Sequence, residues 1–234
     1  MSVVARSERS SWLETAIIIA EALAIAMFVR VFLYQPFNIP SGSMKNTLLI
    51  GDYLFVSKLS YGYSKYSFPR TATVCIPFTG ACSTFRILPD LIPEGRIFSA
   101  EPKRGDVAVF RKPADNETDY IKRVIGLPGD KIQMKDGMLY INGTAVPKKK
   151  VDTVRSRESS RFSMVSADVY EETLPNGVTY HVLDFERDGV FDNTNVYEVP
   201  EGHYFMMGDN RDNSSDSRDM SPGGVGYVPF ENFI

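Results

Sequence analysis

Between Trp12 and Tyr34 the chain is almost continuously apolar, and nothing else in the sequence restricts its architecture as much. As a helix rising ~1.5 Å per residue, this segment would reach roughly 33 Å, about the thickness of a bilayer core. A cleavable export signal would have a shorter apolar core followed by small residues at a cleavage site. Here Gln35-Pro36-Phe37-Asn38-Ile39-Pro40 follows, so the segment reads as a retained anchor. Arg6 and Arg9 precede it, and by the positive-inside tendency that end stays in the cytoplasm while the chain beyond Tyr34 is exported. Arg30 is a weak counter-signal. The expected division is a cytoplasmic tail over 1–11, a transmembrane anchor over 12–34 and an extracytoplasmic domain over 35–234, in a single-pass protein of the inner (plasma) membrane. Glu14 and Glu21 share one helical face. A contact with a partner helix is one reading of them; a tolerated pair, with Glu14 reaching the interface and Glu21 neutral, is preferred.

The exported part is long enough for one sizeable core. The whole chain has 234 residues, of which 43% are hydrophobic and 24% charged, and its net charge is only -3. No basic field of the kind that drives nucleic-acid binding is present. Beyond the anchor, short apolar or β-branched runs are broken by Gly, Pro, Asn and Asp, which predicts a mainly β domain. Strands are expected over Tyr53–Ser57, Val107–Phe110, Tyr120–Ile125, Ile132–Met134, Met138–Ile141, Val178–Phe185 and Tyr204–Met207. Asp136-Gly137 predicts a hairpin, because such a turn needs residues that tolerate positive φ. Two stretches read as insertions, 61–100 and 148–176. The second opens with Lys148-Lys149-Lys150 and carries Arg155, Arg157 and Arg161; it is expected to be a solvated loop, with contact to anionic lipid as the lesser alternative. Cys75 and Cys82 lie seven positions apart without a Cys/His cluster, which argues against zinc and leaves disulfide and free thiols both open.

Three segments are rich in reactive groups. Pro40-Ser41-Gly42-Ser43-Met44-Lys45-Asn46-Thr47-Leu48 is a small-residue turn directly after the anchor. By itself it is ordinary loop composition. Asp119-Tyr120-Ile121-Lys122-Arg123-Val124-Ile125 is expected to be a strand, which puts Lys122 on one face with Tyr120 and Val124, and Arg123 on the other with Ile121 and Ile125. Gly208-Asp209-Asn210-Arg211-Asp212-Asn213-Ser214-Ser215-Asp216-Ser217-Arg218 is dense in hydrogen-bonding groups, and a polar turn would account for it equally well.

Taken together, in this order and after an anchor, these segments resemble the bacterial type I signal peptidase family. The resemblance covers essentially the whole chain and includes Pro40-Ser41-Gly42-Ser43-Met44, Thr47-Leu48-Leu49-Ile50-Gly51-Asp52 and Arg104-Gly105-Asp106. It implies a LexA-like β-fold of antiparallel sheets behind one N-terminal transmembrane helix. It further implies a membrane-bound serine endopeptidase that removes signal peptides from exported preproteins at Ala-x-Ala type sites. Its partners would be signal peptides and the bilayer, near the protein translocation channel and not nucleic acid, and it would use no metal or other cofactor.

Carried over residue by residue, the resemblance makes Ser43 the nucleophile and Lys122 the general base, a role that requires burial to lower the lysine's pKa. It places Ser214 beside the lysine amine and makes the Ser41 hydroxyl, with the Ser43 N–H, the oxyanion site. Arg123 would pair with Asp209, and Asp216 and Arg218 would support the site. Phe37, Ile39, Pro40, Met44, Leu48, Tyr120 and Ile121 match positions that line the substrate cleft, where an extended peptide would add beside a strand. Asn46 stands where the family commonly has proline. The chain stops soon after the third segment, so a terminal strand is expected to be missing. Asn116, Asn142 and Asn213 open formal glycosylation sequons that read as accidental.

A Ser-His-Asp triad would have to use His181 or His203, to which the resemblance gives no role. A LexA-type self-cleaving protein would need a DNA-binding helix-turn-helix where the anchor stands. A non-enzymatic β interaction module would leave Ser43, Lys122 and Ser214 without a purpose.

Overall fold

The computed structural model describes residues 10–68, 71–75, 82–86, 95–157, 164–186 and 188–234. Helix α1 (Ser10–Phe28) is exposed from Trp12 onward and continues into a π-helical turn, Val29–Leu33. Among the described residues it is the one helix long and apolar enough to cross a membrane. The chain passes straight into β1 (Tyr34–Asn38), which pairs antiparallel with β2 (Tyr53–Ser57).

A separate hairpin follows, β3 (Thr71–Cys75) with β4 (Cys82–Arg86). Cys82 is disulfide-bonded, and Cys75, the only other cysteine in the chain, is its register partner. Next come β5 (Val107–Arg111), β6 (Asp119–Gly126), β7 (Lys131–Lys135), β8 (Met138–Ile141), β9 (Thr144–Ala145), β10 (Lys148–Arg157), β11 (Met164–Thr173), β12 (Thr179–Asp184), β13 (Tyr197–Glu198), β14 (His203–Met207) and β15 (Val228–Pro229). They form antiparallel sheets in the orders β15-β14-β6-β5, β13-β7-β8-β9 and β10-β11-β12. The architecture is thus mainly β behind one apolar helix.

Alternation along β6 divides two cores. Val124 faces a cluster with Phe110, Tyr204, Met206, Val228 and Phe233, whereas Ile125 faces one with Ile132, Leu139, Val182 and Phe205. A strand buried on both faces reads as a nearly continuous apolar run, as Val124-Ile125 does here. At the β7–β8 turn Asp136 and Gly137 both have positive φ, 48° and 70°, the geometry that a two-residue hairpin matched to strand twist demands. The C-terminal Phe233 and Ile234 are buried against β5, and the Ile234 N–H donates to Val109 O at 2.9 Å.

The 148–176 stretch is not a solvated loop. It supplies β10 and β11, a long hairpin paired from Lys148↔Glu172 to Arg157↔Met164 and extended by β12. Ala167 and Val169 are buried on one face of β11 and Glu172 on the other, and Lys148 bonds to Asp184 at 2.9 Å and lies over the Tyr170 ring. Lys149, Lys150 and Arg155 are exposed; the side chains of Arg157 and Arg161 lie outside the described residues. In the 61–100 stretch, Tyr61, Ser64 and Ser67 are buried, so that segment also belongs partly to the core. Within it, 69–70, 76–81 and 87–94 lie outside the described residues.

Candidate active site

Ser43 sits in a tight turn that leaves the end of β1. The turn is closed by backbone bonds from Lys45 N to Gly42 O and from Leu48 N to Met44 O. Asn46 holds φ at 84° within it, a conformation open to asparagine and closed to proline, whose ring fixes φ near about −65°. A proline at this position could not follow the same route.

Across from the turn, β6 delivers Lys122. Its Nζ donates to Ser43 Oγ at 2.5 Å, and the residue is only 2% exposed. Burial drives the amine's pKa down to about 8, against the opposing pull of Asp216 and Asp209. A buried amine poised this close to neutrality can take a hydroxyl proton, which an exposed lysine cannot do. Ser41 Oγ lies 3.3 Å from Ser43 Oγ and is exposed.

On the opposite face of β6, Arg123 grips Asp209 through two bonds, Nε to Oδ1 at 2.8 Å and a terminal nitrogen to Oδ2 at 2.6 Å. Thr47, from the serine turn, donates to the same Oδ2, which fastens that turn to the Gly208–Arg218 segment. Asp216 accepts from Arg218 at 2.9 Å and from the Gly208 N–H at 3.0 Å. Burial alone would raise the Asp216 carboxyl's pKa, but Arg218 and these bonds outweigh it and leave it below the usual range.

Ser214 is buried beside Gly208, yet its hydroxyl makes no well-formed hydrogen bond, and none reaches Lys122. It lies near enough to Asp216 to help lower that carboxyl's pKa. The expected Ser214–Lys122 bond is therefore not formed in this arrangement, in which the lysine's hydrogen bond goes to Ser43. Gly208 is what admits the serine so closely, since a Cβ there would stand 2.2 Å from Ser214 Oγ and 2.6 Å from Ser43 O.

Ser43 and Lys122 open onto a cleft of about 440 Å³, whose walls include all seven residues expected there: Phe37, Ile39, Pro40, Met44, Leu48, Tyr120 and Ile121. Thr118, Asp119, Asn213 and Ser215 complete it along with neighbours of Ser43. One wall is strand edge. β14 pairs with β6 only from Arg123 onward, and β5 occupies the other edge from Asp119 to Arg123. On the cleft side, residues 119–122 thus have no strand partner among the described residues. Neither histidine reaches the cleft. His181 is exposed, 3.9 Å from Glu171, and His203 contacts the Glu201 carbonyl at 2.9 Å.

Sequence reasoning did not single out Asn210, Arg211, Glu172, Tyr180 or Thr47. Asn210 donates from its backbone to Ser43 O at 3.0 Å and from its side chain to Gly42 O at 2.9 Å. Its flanks are bonded to β12, Leu183 N to Asp209 O at 2.8 Å and Arg211 N to Leu183 O at 2.9 Å. The Arg211 guanidinium is clamped by Glu172 at 3.0 and 2.5 Å and by the Tyr180 hydroxyl at 3.1 Å. The run Gly208-Asp209-Asn210-Arg211 carried this signal, but its partners stand far off in the chain.

The sequence matches known proteins over most of its length. The family described as "Signal peptidase, peptidase S26" matches residues 12–234. Signal peptidase I of Rickettsia canadensis is 44% identical over 221 residues, which cover 92% of this chain and 74% of that protein. The Rickettsia akari counterpart is 41% identical over 235 residues, 98% of this chain and 77% of the relative. A crystal structure of a signal peptidase I from Enterococcus faecalis V583 is 27% identical, covers 57% of this chain and 94% of the other, and aligns with a TM-score of 0.31. On the span and identity of these sequence matches, the chain belongs to the signal peptidase family, peptidase S26.

Proposed function

We propose that this chain is a membrane-anchored serine endopeptidase that removes signal peptides from exported preproteins, with Ser43 as nucleophile and Lys122 as general base. The observation that carries the reading is the 2.5 Å contact between Ser43 Oγ and an amine that burial holds near pKa 8. The neutral amine takes the hydroxyl proton as Oγ attacks the scissile carbonyl, then returns it to the leaving amine; water repeats the sequence to release the acyl group. The exposed Ser41 hydroxyl and the Ser43 N–H meet the developing oxyanion. Asp209, Arg123, Asp216 and Arg218 hold the two halves of the site together, and Ser214 packs behind them.

The substrate adds as an extended strand along the open edge of Asp119–Lys122, opposite Phe37–Ser41. Alternate side chains then point into pockets walled by Ile39, Met44 and Tyr120, which suit Ala at the last and third-last positions before the cut. Residues 12–34 cross the inner membrane, 1–11 remain cytoplasmic, and 35–234 work outside, where preproteins emerge from the translocation channel.

Cleavage of a purified preprotein with an Ala-x-Ala site tests this, comparing folded wild type with Ser43→Ala and Lys122→Ala. Cutting after the final Ala by wild type alone is expected. Cutting by either variant would overturn the assignment of the pair.

A further inference from the structure

Among the described residues, the anchor meets the catalytic domain where the helix ends. α1 is exposed from Trp12 onward, so its tilt relative to the domain is fixed at that end. The last carbonyls of a helix lack partners within the helix. Here Val29 O is taken by the Tyr34 N–H, and three further carbonyls are taken by groups from the domain. Lys58 N–H donates to Leu33 O at 2.9 Å, Lys58 Nζ to Val31 O at 3.2 Å, and the Tyr63 hydroxyl to Phe32 O at 2.5 Å.

Lys58 is unusual in its own right. It is 1% exposed, lies outside the active site and forms no salt bridge among the described residues. Its amine also donates to Ser67 O at 2.5 Å, so it bonds to carbonyls alone, on both sides of the junction. A cation is suited to the carbonyl end of a helix, where the dipole is negative. Phe68 fills the same corner, edge-on to Phe32 at 5.7 Å and stacked on Tyr63 at 5.4 Å.

The junction is close to the cleft. β1 begins at Tyr34, and Phe37, which lines the cleft, is only about 10 Å further along an extended strand. A helix of 19 residues is about 28 Å long. A tilt of about 20°, ordinary for membrane helices, displaces its far end by about 10 Å. With the helix held by the bilayer, the same tilt swings the cleft away from the membrane surface.

We propose that Lys58 and Tyr63 are positioning residues which, by capping Val31, Phe32 and Leu33, fix the cleft at the height and angle at which a membrane-inserted signal peptide presents its cleavage site. The idea rests on the peptidase reading above. It assigns Lys58 no part in the chemistry, so a substrate free in solution is indifferent to the clasp.

The test uses full-length protein in proteoliposomes with two substrates, a preprotein inserted in the same bilayer and a soluble peptide containing an Ala-x-Ala site. Lys58→Met is expected to lower kcat/KM for the inserted preprotein by about tenfold, and Tyr63→Phe by about threefold, in line with the loss of one or two hydrogen bonds. Both should cleave the soluble peptide at the wild-type rate. Tyr63→Phe removes one hydroxyl from a half-exposed ring and decides the matter should Lys58→Met fail to fold. Equal losses on both substrates, or no loss on either, would overturn the proposal. Spin labels at Ala22→Cys and Asn142→Cys give an answer independent of turnover, with a narrow distance distribution in the parent and a broadened one in Tyr63→Phe; an unchanged distribution overturns it too. Wild type that cuts neither substrate would instead overturn the peptidase reading, while the label distances still decide the clasp.

Discussion

Asn210 holds the carbonyl of Ser43 with its backbone N–H at 3.0 Å while its side-chain amide reaches back to Gly42 O at 2.9 Å. The serine turn is therefore secured from the Gly208–Arg218 segment, and that segment is secured in turn by the β10-β11-β12 sheet. Changes well away from the dyad are felt at Ser43 through this chain of contacts.

Glu172 is the far end of the chain. Replacing it with Gln leaves the Arg211 guanidinium buried without its counter-charge, and such a loss costs about 3–5 kcal/mol. Glu172→Gln is expected to lower the melting temperature and the rate together. The double variant Glu172→Met/Arg211→Met should recover most of the stability, because it buries no orphaned charge. A double variant as unstable as the single one in thermal melts would count against this account.

Gly208→Ala probes the near end. The added methyl meets Ser214 and the Ser43 carbonyl closer than atoms can approach, so backbone must move at the dyad. Overpacking of this kind costs about 1–3 kcal/mol, while a displacement near 1 Å costs the reaction about 100-fold. A folded Gly208→Ala protein with wild-type kcat/KM would show that the site tolerates the shift.

The pH dependence follows from Lys122. Its pKa is lowered to about 8 by burial, and in the proposed mechanism the reacting form is the neutral amine. Activity should rise with pH along a limb centred near 8, measured as kcat/KM on a soluble peptide. A limb centred near 10 would mean that the amine is solvated in the working enzyme.

Stability carries the same signature with a definite sign. The folded pKa lies below the unfolded value of 10.5, so the unfolded chain holds more protons between pH 8 and 10.5. This group's contribution to stability consequently rises with pH across that window and is fully lost below about 8. Lys122→Met should melt above wild type at pH 7, with the gap closing by about pH 10.5. Lys58, lowered to about 8 by burial and by Arg30, acts in the same direction. A gap that does not change with pH would show that the amine's burial is not what separates the two proteins.

Much of this was legible in the residues. β2, β8 and the β7–β8 hairpin follow from alternation and from Asp136-Gly137, and the opposite facing of Lys122 and Arg123 follows from strand period alone. The β10–β11 hairpin did not show, because Lys148-Lys149-Lys150 looks like a solvated run until Asp184 and Tyr170 are seen to receive Lys148. Glu172 and Arg211 were opaque for a related reason. A buried charge is recognisable only with its partner, and these partners are 39 positions apart. Ser214 illustrates the opposite limit: the resemblance set its hydroxyl on the Lys122 amine, yet that hydroxyl makes no well-formed hydrogen bond, a matter of rotamer that no sequence pattern encodes.

The register of β6 carries a meaning of its own. Lys122 meets Ser43 because Ala108 pairs with Lys122 and Val107 with Arg123 on one edge, while on the other the irregularity between Phe205 and Met206 sets the pairing with β14. A slip of one residue would turn Arg123 or Ile121 toward the serine, and an aliphatic side chain takes no proton. A guanidinium keeps its proton at any physiological pH and cannot accept another. With Lys122 as the proposed base, a mispaired copy would thus be inert, and activity would arrive only once the strands have paired in the correct register.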